Sequence, residues 1–140
     1  MVLQPERWDV IVCENLYGDL ISDLAAGLVG GLGFAPAALY GDGGVAIFEP
    51  AHGSAPDIAG KNLVNPTSIL LATAMMLGYL GEKTAEMHLL LAIESVISEG
   101  SFVTRDMGGQ AGTQEMATAV ARRLSASLAA ASTPQRHAKL

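Results

Sequence analysis

Two aspartates four positions apart occur in an otherwise apolar segment, ENLYGDLISDLAAG at residues 14–27. The leucine spacing predicts a helix from Gly18 to about Val29, which places Asp19 and Asp23 next to each other on a different face from the leucines. Two ionised carboxylates at this spacing repel each other, so the pair is mildly unfavourable by itself. A solvated acidic helix end and a shared divalent cation, Mg²⁺ or Mn²⁺, are both compatible with the pattern.

A second group of polar residues lies in the stretch AHGSAPDIAGKNLVN, residues 51–65. It is a long glycine-containing loop, and long ordered loops often carry function. The stretch has no G-x-G-x-x-G after a strand, so the usual dinucleotide fingerprint is absent. By residue type alone, His52 could be a histidine bonded to the loop backbone, and Asp57 could be a turn former.

The elements that position these residues are predicted from periodicity and from helix and strand breakers. One short strand is predicted at WDVIVCEN, which ends near Glu14 and in which Cys13 would be buried. A second is predicted at VAIFEP. The glycine-rich segment from Gly30 to Gly44 is predicted to be a connection. Asn65 followed by Pro66 predicts a helix start. The further predicted helices cover residues 66–80, 84–99 and 113–128, and residues beyond about 129 are predicted to be frayed or disordered.

Composition limits the classes of partner. Lysine and arginine total 8 against 14 acidic residues, and they form no basic stripe, so a nucleic-acid partner is not expected. The single cysteine excludes an intramolecular disulfide and favours a reducing compartment. No signal peptide is recognisable and no apolar run is long enough to span a bilayer. We therefore expect a cytoplasmic protein without a membrane partner.

Two long stretches, ENLYGDLISDLAAGLVGGLG and FEPAHGSAPDIAGKNLVNPT, together resemble the β-decarboxylating dehydrogenases. This family includes the isocitrate, homoisocitrate, 3-isopropylmalate and tartrate enzymes, and the resemblance covers about residues 1–124. It implies an α/β fold, the C-terminal part of a doubly wound architecture with an incomplete sheet. Residues 1–30 would end the dimer-forming domain, residues 31–128 would form half of the large cofactor-binding domain, and residues 129–140 would be a tail.

The resemblance also implies cofactors and their residues. Asp19 and Asp23 match metal-binding aspartates, which would hold Mg²⁺ or Mn²⁺ and so relieve their mutual repulsion. Asp57 followed by Ile58 stands where NADP-using relatives carry a basic or aromatic pair, so NAD is expected rather than NADP. The residues that the resemblance assigns to cofactor binding are Glu49, His52, Gly53, Ser54, Ala55, Asp57, Ile58, Asn65 and Asp106.

The resemblance places the remaining machinery in parts of the family proteins upstream of this stretch. The catalytic tyrosine and lysine, the substrate-binding arginines and a third metal aspartate belong there, so no catalytic residue is assigned here. The expected function is part of an NAD-linked oxidative decarboxylase of a 2-hydroxy acid, working as a homodimer or higher oligomer, with the isolated chain inactive and self-associating. The alternative is a non-catalytic nucleotide-binding, regulatory or assembly subunit. The resemblance does not determine the substrate, although isocitrate or homoisocitrate is favoured.

Overall fold

The computed structural model describes residues 1–132 and contains helices and a small sheet. The elements are α1 (Asn15–Leu28), β1 (Pro36–Tyr40), β2 (Ala46–Pro50), α2 (Thr67–Tyr79), α3 (Lys83–Glu99) and α4 (Thr113–Ser132). The predicted α/β class is confirmed. Within the described residues no helix is both long enough and apolar enough to cross a membrane.

The core lies where α3 packs against both α2 and α4. Aliphatic side chains spaced at helical intervals on these three elements face one another, and burial of this apolar surface holds the helices together. The chain turns between α3 and the next segment at Gly100, whose φ of 72° is left-handed, as expected for a glycine that ends a helix. The buried members of this core are Ala74, Leu89, Ala92, Ile93, Val96, Met116 and Val120.

The sheet is a two-stranded antiparallel hairpin that packs on α2. Pro36 pairs with Pro50 at its open end, and Tyr40 pairs with Ala46 next to the turn. The Tyr79 hydroxyl donates to the Gly44 carbonyl at 2.9 Å and so ties the turn to α2. Residues 30–44 were predicted to be a connection without regular structure, and this prediction was wrong because they contain β1. Pro36 is the first residue of that strand, where a proline does not interrupt the hydrogen-bonded ladder.

The predicted strand ending near Glu14 is not formed, and this prediction was wrong. The described residues contain only the β1 and β2 pairing, so this segment has no strand beside it to accept its backbone hydrogen bonds. Its apolar side chains are correspondingly exposed, with Val10 at 79% and Val12 at 93%. Cys13 was expected to be buried and is exposed for the same reason.

Helix boundaries agree with the predictions to within a few residues, apart from the far end of α4. That helix continues to Ser132, so residues 129–132 are helical rather than frayed. The rest of the predicted tail, with His137, lies outside the described residues. The domain boundary predicted near residue 30 stays a prediction.

Candidate functional site

Helix α1 carries the two aspartates on exposed positions one turn apart. The Ser22 hydroxyl donates to the Asp19 backbone carbonyl at 3.0 Å, not to its carboxylate. Neither carboxylate of Asp19 or Asp23 makes a hydrogen bond or ion pair to another residue in the range 1–132. No third histidine, cysteine or acid of that range joins them to form a three-ligand cluster. Two free carboxylates on neighbouring turns form an oxygen donor set of the kind that hard divalent cations prefer.

The 51–65 loop contains short turns of its own. The Ile58 N–H donates to the Ala55 carbonyl at 3.0 Å, and the Lys61 N–H donates to the Ile58 carbonyl at 3.1 Å. Ala55 has a φ of 44°, a left-handed value that a side-chain-bearing residue adopts only where its surroundings impose it. The backbone between Ala55 and Lys61 is therefore shaped by its own hydrogen bonds.

The loop side chains predicted to bind cofactor are mostly exposed. The His52 Nδ1 lies 2.9 Å from the Gly53 carbonyl, so the ring is held against the loop backbone. This is the arrangement expected of a histidine that is bonded to its own loop. Ile58 and Ala55 are half-buried. The predicted residues that are exposed are Glu49, Gly53, Ser54 and Asp57. Within the described part of the chain, the side chains of Glu49, Ser54 and Asp57 make no hydrogen bond or ion pair. This surface is open to a ligand.

Two predicted cofactor residues far apart in sequence are in direct contact. The Asn65 Nδ2 donates to Asp106 Oδ2 at 2.9 Å. The Asn65 Oδ1 accepts from the Thr67 N–H at 2.9 Å, just before α2, which begins one residue later than predicted with Pro66 rather than Asn65 as its N-cap. On the other side, the Thr104 hydroxyl donates to Asp106 Oδ1 at 2.6 Å. Asn65 is buried, so this chain of hydrogen bonds holds its amide in one orientation before any ligand arrives.

Sequence reasoning missed a second contact, between the end of the loop and α4. The Asn62 carbonyl accepts from the Thr113 N–H at 3.1 Å, and its Oδ1 accepts from the Gln114 N–H at 2.8 Å. The Asn62 Nδ2 donates to Glu115 Oε2 at 3.0 Å. The sequence contains one signal for this contact. Gly112 precedes α4 and has no side chain to cap the helix, so a cap has to come from another segment.

Hydrogen bonding also sets the charge state at this contact. The backbone N–H of Glu115 itself donates to its carboxylate, and together with the bond from Asn62 it lowers the pKa of Glu115 below the ordinary value. Bonds to the ionised form favour that form. Glu115 is therefore an anion that accepts hydrogen bonds at neutral pH.

A cavity of about 630 Å³ lies elsewhere, between α3 and α4. Val96, Phe102 and Arg122 are among its lining residues, together with Glu115, but none of the predicted cofactor or metal residues is. Arg123 and Glu99 form an ion pair at its rim. Because none of the predicted residues lines this groove, we place the candidate site at the loop and α1 instead.

The helical core, the hairpin packed on α2 and the polar loop between them form an α/β arrangement. The family model described as isocitrate/isopropylmalate dehydrogenase matches residues 1–120, and the chain belongs to that family. The predicted family resemblance is thereby confirmed.

Curated relatives and a solved structure agree with this assignment. The isocitrate/homoisocitrate dehydrogenase of Thermus thermophilus is 55% identical over 89% of this chain, which spans 36% of that protein. The Arabidopsis thaliana protein named isocitrate dehydrogenase [NAD] catalytic subunit 5, mitochondrial, is 52% identical over 86% of this chain and 32% of its own length. The crystal structure of isocitrate dehydrogenase from Methylococcus capsulatus superimposes with a TM-score of 0.84 at 48% identity, covering 89% of this chain and 37% of the other. The chain thus spans about a third of the relatives that it matches, and its architecture is part of theirs.

Proposed function

We propose that this chain forms part of a metal-dependent, NAD-linked oxidative decarboxylase of a 2-hydroxy acid of the isocitrate, homoisocitrate or 3-isopropylmalate type. The observation that carries the proposal is the combination of family membership with two free carboxylates on α1 and an open polar loop beside α2. Family members named for these three substrates are oxidoreductases, and the chain corresponds to about a third of their length. We assign binding of cofactor and metal to it, and turnover to the whole protein, which we propose to be a homodimer or higher oligomer.

The 51–65 loop is proposed to bind the adenosine half of NAD. Asp57, exposed and unpaired within residues 1–132, would accept hydrogen bonds from the ribose hydroxyls and would repel a 2′-phosphate. Asn65, with its amide already oriented by Asp106, would meet the adenine edge. Glu49, at the end of β2, would lie towards the nicotinamide. The name of the Arabidopsis relative specifies NAD for that protein and supports this choice of dinucleotide.

Asp19 and Asp23 are proposed to hold Mg²⁺ or Mn²⁺. Two exposed carboxylates one turn apart, with no partner within residues 1–132, fit such an ion, whose further ligands would come from elsewhere. When bound, the cation would act as a Lewis acid that stabilises negative charge on the substrate oxygen during decarboxylation. The two carboxylates would hold the ion by charge attraction and oxygen coordination, and the ion would relieve their mutual repulsion.

Dinucleotide selectivity tests the cofactor assignment. Titration calorimetry on the full chain is expected to give tighter binding of NAD⁺ than of NADP⁺. Changing Asp57→Ala is expected to weaken NAD⁺ binding roughly tenfold, the effect of losing a hydrogen bond to a charged group, and to reduce the preference over NADP⁺. Asp42→Ala, at another exposed turn, serves as the matched control. Equal affinity for both dinucleotides, or an unchanged preference in the Asp57 variant, would count against the assignment.

Manganese binding tests the metal assignment without an activity assay. Bound Mn²⁺ can be measured from the loss of the free-ion electron paramagnetic resonance signal. Asp19→Asn and Asp23→Asn each remove a charged ligand and are expected to weaken binding by about tenfold or more. Asp9→Asn changes the same charge outside α1 and should have no effect. If the two helix variants bind Mn²⁺ as the control does, the aspartates are merely a solvated acidic helix face.

A non-catalytic role in a larger assembly is the competing function. In that case the chain would keep nucleotide binding and would not need the metal. Retained NAD⁺ binding together with Mn²⁺ binding that is insensitive to both helix variants would favour this alternative. Loss of metal binding in those variants supports the decarboxylase.

A further inference from the structure

The 51–65 loop is fixed to the rest of the fold mainly at its ends. At the first end, the Ala51 N–H donates to the Ala35 carbonyl at 2.9 Å. At the second end, Asn62 bonds to the first turn of α4, and the Thr113 hydroxyl donates to the Val64 carbonyl at 2.5 Å. The exposed middle of the loop relies on its own turns, as described above. The conformation of that middle part therefore depends on how firmly the ends are held.

The contact at Asn62 is reciprocal. Helix α4 begins without a capping side chain of its own, and Asn62 accepts hydrogen bonds from the otherwise unpaired N–H groups of Thr113 and Gln114. In the other direction, Glu115 receives the Asn62 amide. Asn62 has a φ of 57°, a conformation that asparagine tolerates better than most side-chain-bearing residues. A Cβ at Gly112 would overlap with Asn62 Nδ2 and Glu115 Oε2, so the glycine leaves the space that this contact occupies.

We propose that Asn62 and Glu115 are positioning residues, which hold the 51–65 loop in the conformation that meets the dinucleotide. This inference rests on the proposed function of the loop. Neither residue belongs to the predicted cofactor set, and both act through the loop backbone. Their role is separate from the bond between Asn65 and Asp106, which fixes a side chain rather than the path of the loop.

Hydrogen exchange measured by NMR on the full chain tests the holding role directly. The amides of Ile58 and Lys61 report on the loop turns, and the amide of Leu80, bonded to the Met76 carbonyl at 3.0 Å, reports on α2. Asn62→Gly suits the backbone angle but removes the side chain, and Glu115→Ala removes the acceptor. Both are expected to speed exchange at Ile58 and Lys61 by about fivefold or more, the effect of losing a helix cap, with Leu80 unchanged.

Matched variants separate this role from general destabilisation. Glu115→Gln keeps an acceptor oxygen and is expected to exchange nearly as the unmodified chain does. Ser101→Gly and Glu94→Ala make the same kinds of change at exposed positions elsewhere and should leave the loop amides unchanged. Unchanged loop exchange in Asn62→Gly and Glu115→Ala, or an equal acceleration at Leu80, would overturn the proposal.

Calorimetry with NAD⁺ tests the consequence for binding. The affinity is expected to fall in Asn62→Gly and Glu115→Ala, because NAD⁺ binds only the fraction of molecules whose loop is held, and to be restored in Glu115→Gln. Faster exchange with unchanged NAD⁺ affinity would show that the contact does not position the binding residues, which refutes the inference. If the unmodified chain does not bind NAD⁺ at all, the proposed cofactor role fails for this chain, while the exchange measurement still decides whether these two residues hold the loop.

Discussion

Buried hydroxyl groups near the 51–65 loop differ in whether they have a hydrogen-bond partner. Thr67 and Thr104 are both fully buried, with 1% and 0% of their surface exposed. The Thr104 hydroxyl donates to Asp106 and so supports the orientation of Asn65. The Thr67 hydroxyl has no partner within the described residues. A buried polar group without a partner has lost its bonds to water and gained none in return.

The pair of threonines gives a matched prediction for stability. Thr67→Val replaces an unpaired hydroxyl with a methyl group of similar shape and is expected to leave the free energy of unfolding unchanged or slightly higher. Thr104→Val removes a hydrogen bond to a charged acceptor and is expected to lower that free energy by about 1–2 kcal/mol. Urea unfolding followed by circular dichroism measures both. Equal losses in the two variants would mean that the Thr67 hydroxyl has a partner after all.

Single residues of the candidate site were partly predictable from sequence. Asn65 was assigned both to the helix start and to cofactor binding, and its bond to the Thr67 N–H two residues on is local, as expected for an asparagine next to a helix start. The contact of Asn65 with Asp106 and that of Asn62 with Glu115 were not predictable. Each joins residues more than 40 positions apart, and only the packed helices bring them together.

At the scale of elements, helices were predictable and strands were less so. The hydrogen bonds of a helix lie within the segment itself, so local spacing, Gly100 and the Asn65-Pro66 pair were sufficient to place α2 and α3. A strand needs a second strand as partner. The apolar segment 8–14 has the composition of a strand but no neighbour within the described chain, whereas β1, which begins with a proline and follows glycines, forms because β2 lies beside it.

The elements also divide the candidate site into two parts. The loop is attached to α2, α4 and the hairpin, all of which belong to the helical core or pack on it. Helix α1 instead packs against the short helical turn Leu32–Phe34. The face that carries Asp19 and Asp23 is therefore positioned by a different part of the fold from the part that holds the loop. Cofactor binding and metal binding by this chain should consequently respond to different variants, as the two binding experiments require.

At the scale of the molecule, α1 and the segment before it expose many large apolar side chains. The leucines of α1 are about half exposed or more, with Leu20 at 62% and Leu24 at 48%. Neighbouring apolar residues such as Val12 and Leu16 extend the same surface. Contiguous exposed apolar surface of this kind marks an interaction site, because its burial against another surface is favourable.

This surface leads to the prediction that the chain self-associates through α1. In sedimentation velocity the unmodified chain is expected to show concentration-dependent species larger than a monomer. The double change Leu20→Ser and Leu24→Ser removes apolar contact area and should raise the concentration at which association appears by about a hundredfold or more. Each buried leucine contributes roughly 1.5–3 kcal/mol, and about 1.4 kcal/mol is a factor of ten in affinity. Circular dichroism verifies that α2, α3 and α4 remain folded.

The matched control is Leu90→Ser with Leu91→Ser on α3. These two leucines are 41% and 51% exposed, so the control also replaces two partly exposed leucines with serines, but outside the α1 surface. The control should associate as the unmodified chain does, because its surface lies on the helical core rather than on the weakly packed α1. Equal effects of both double variants would indicate non-specific association through any exposed leucine. A monomer at every concentration would mean that α1 does not mediate contacts between copies.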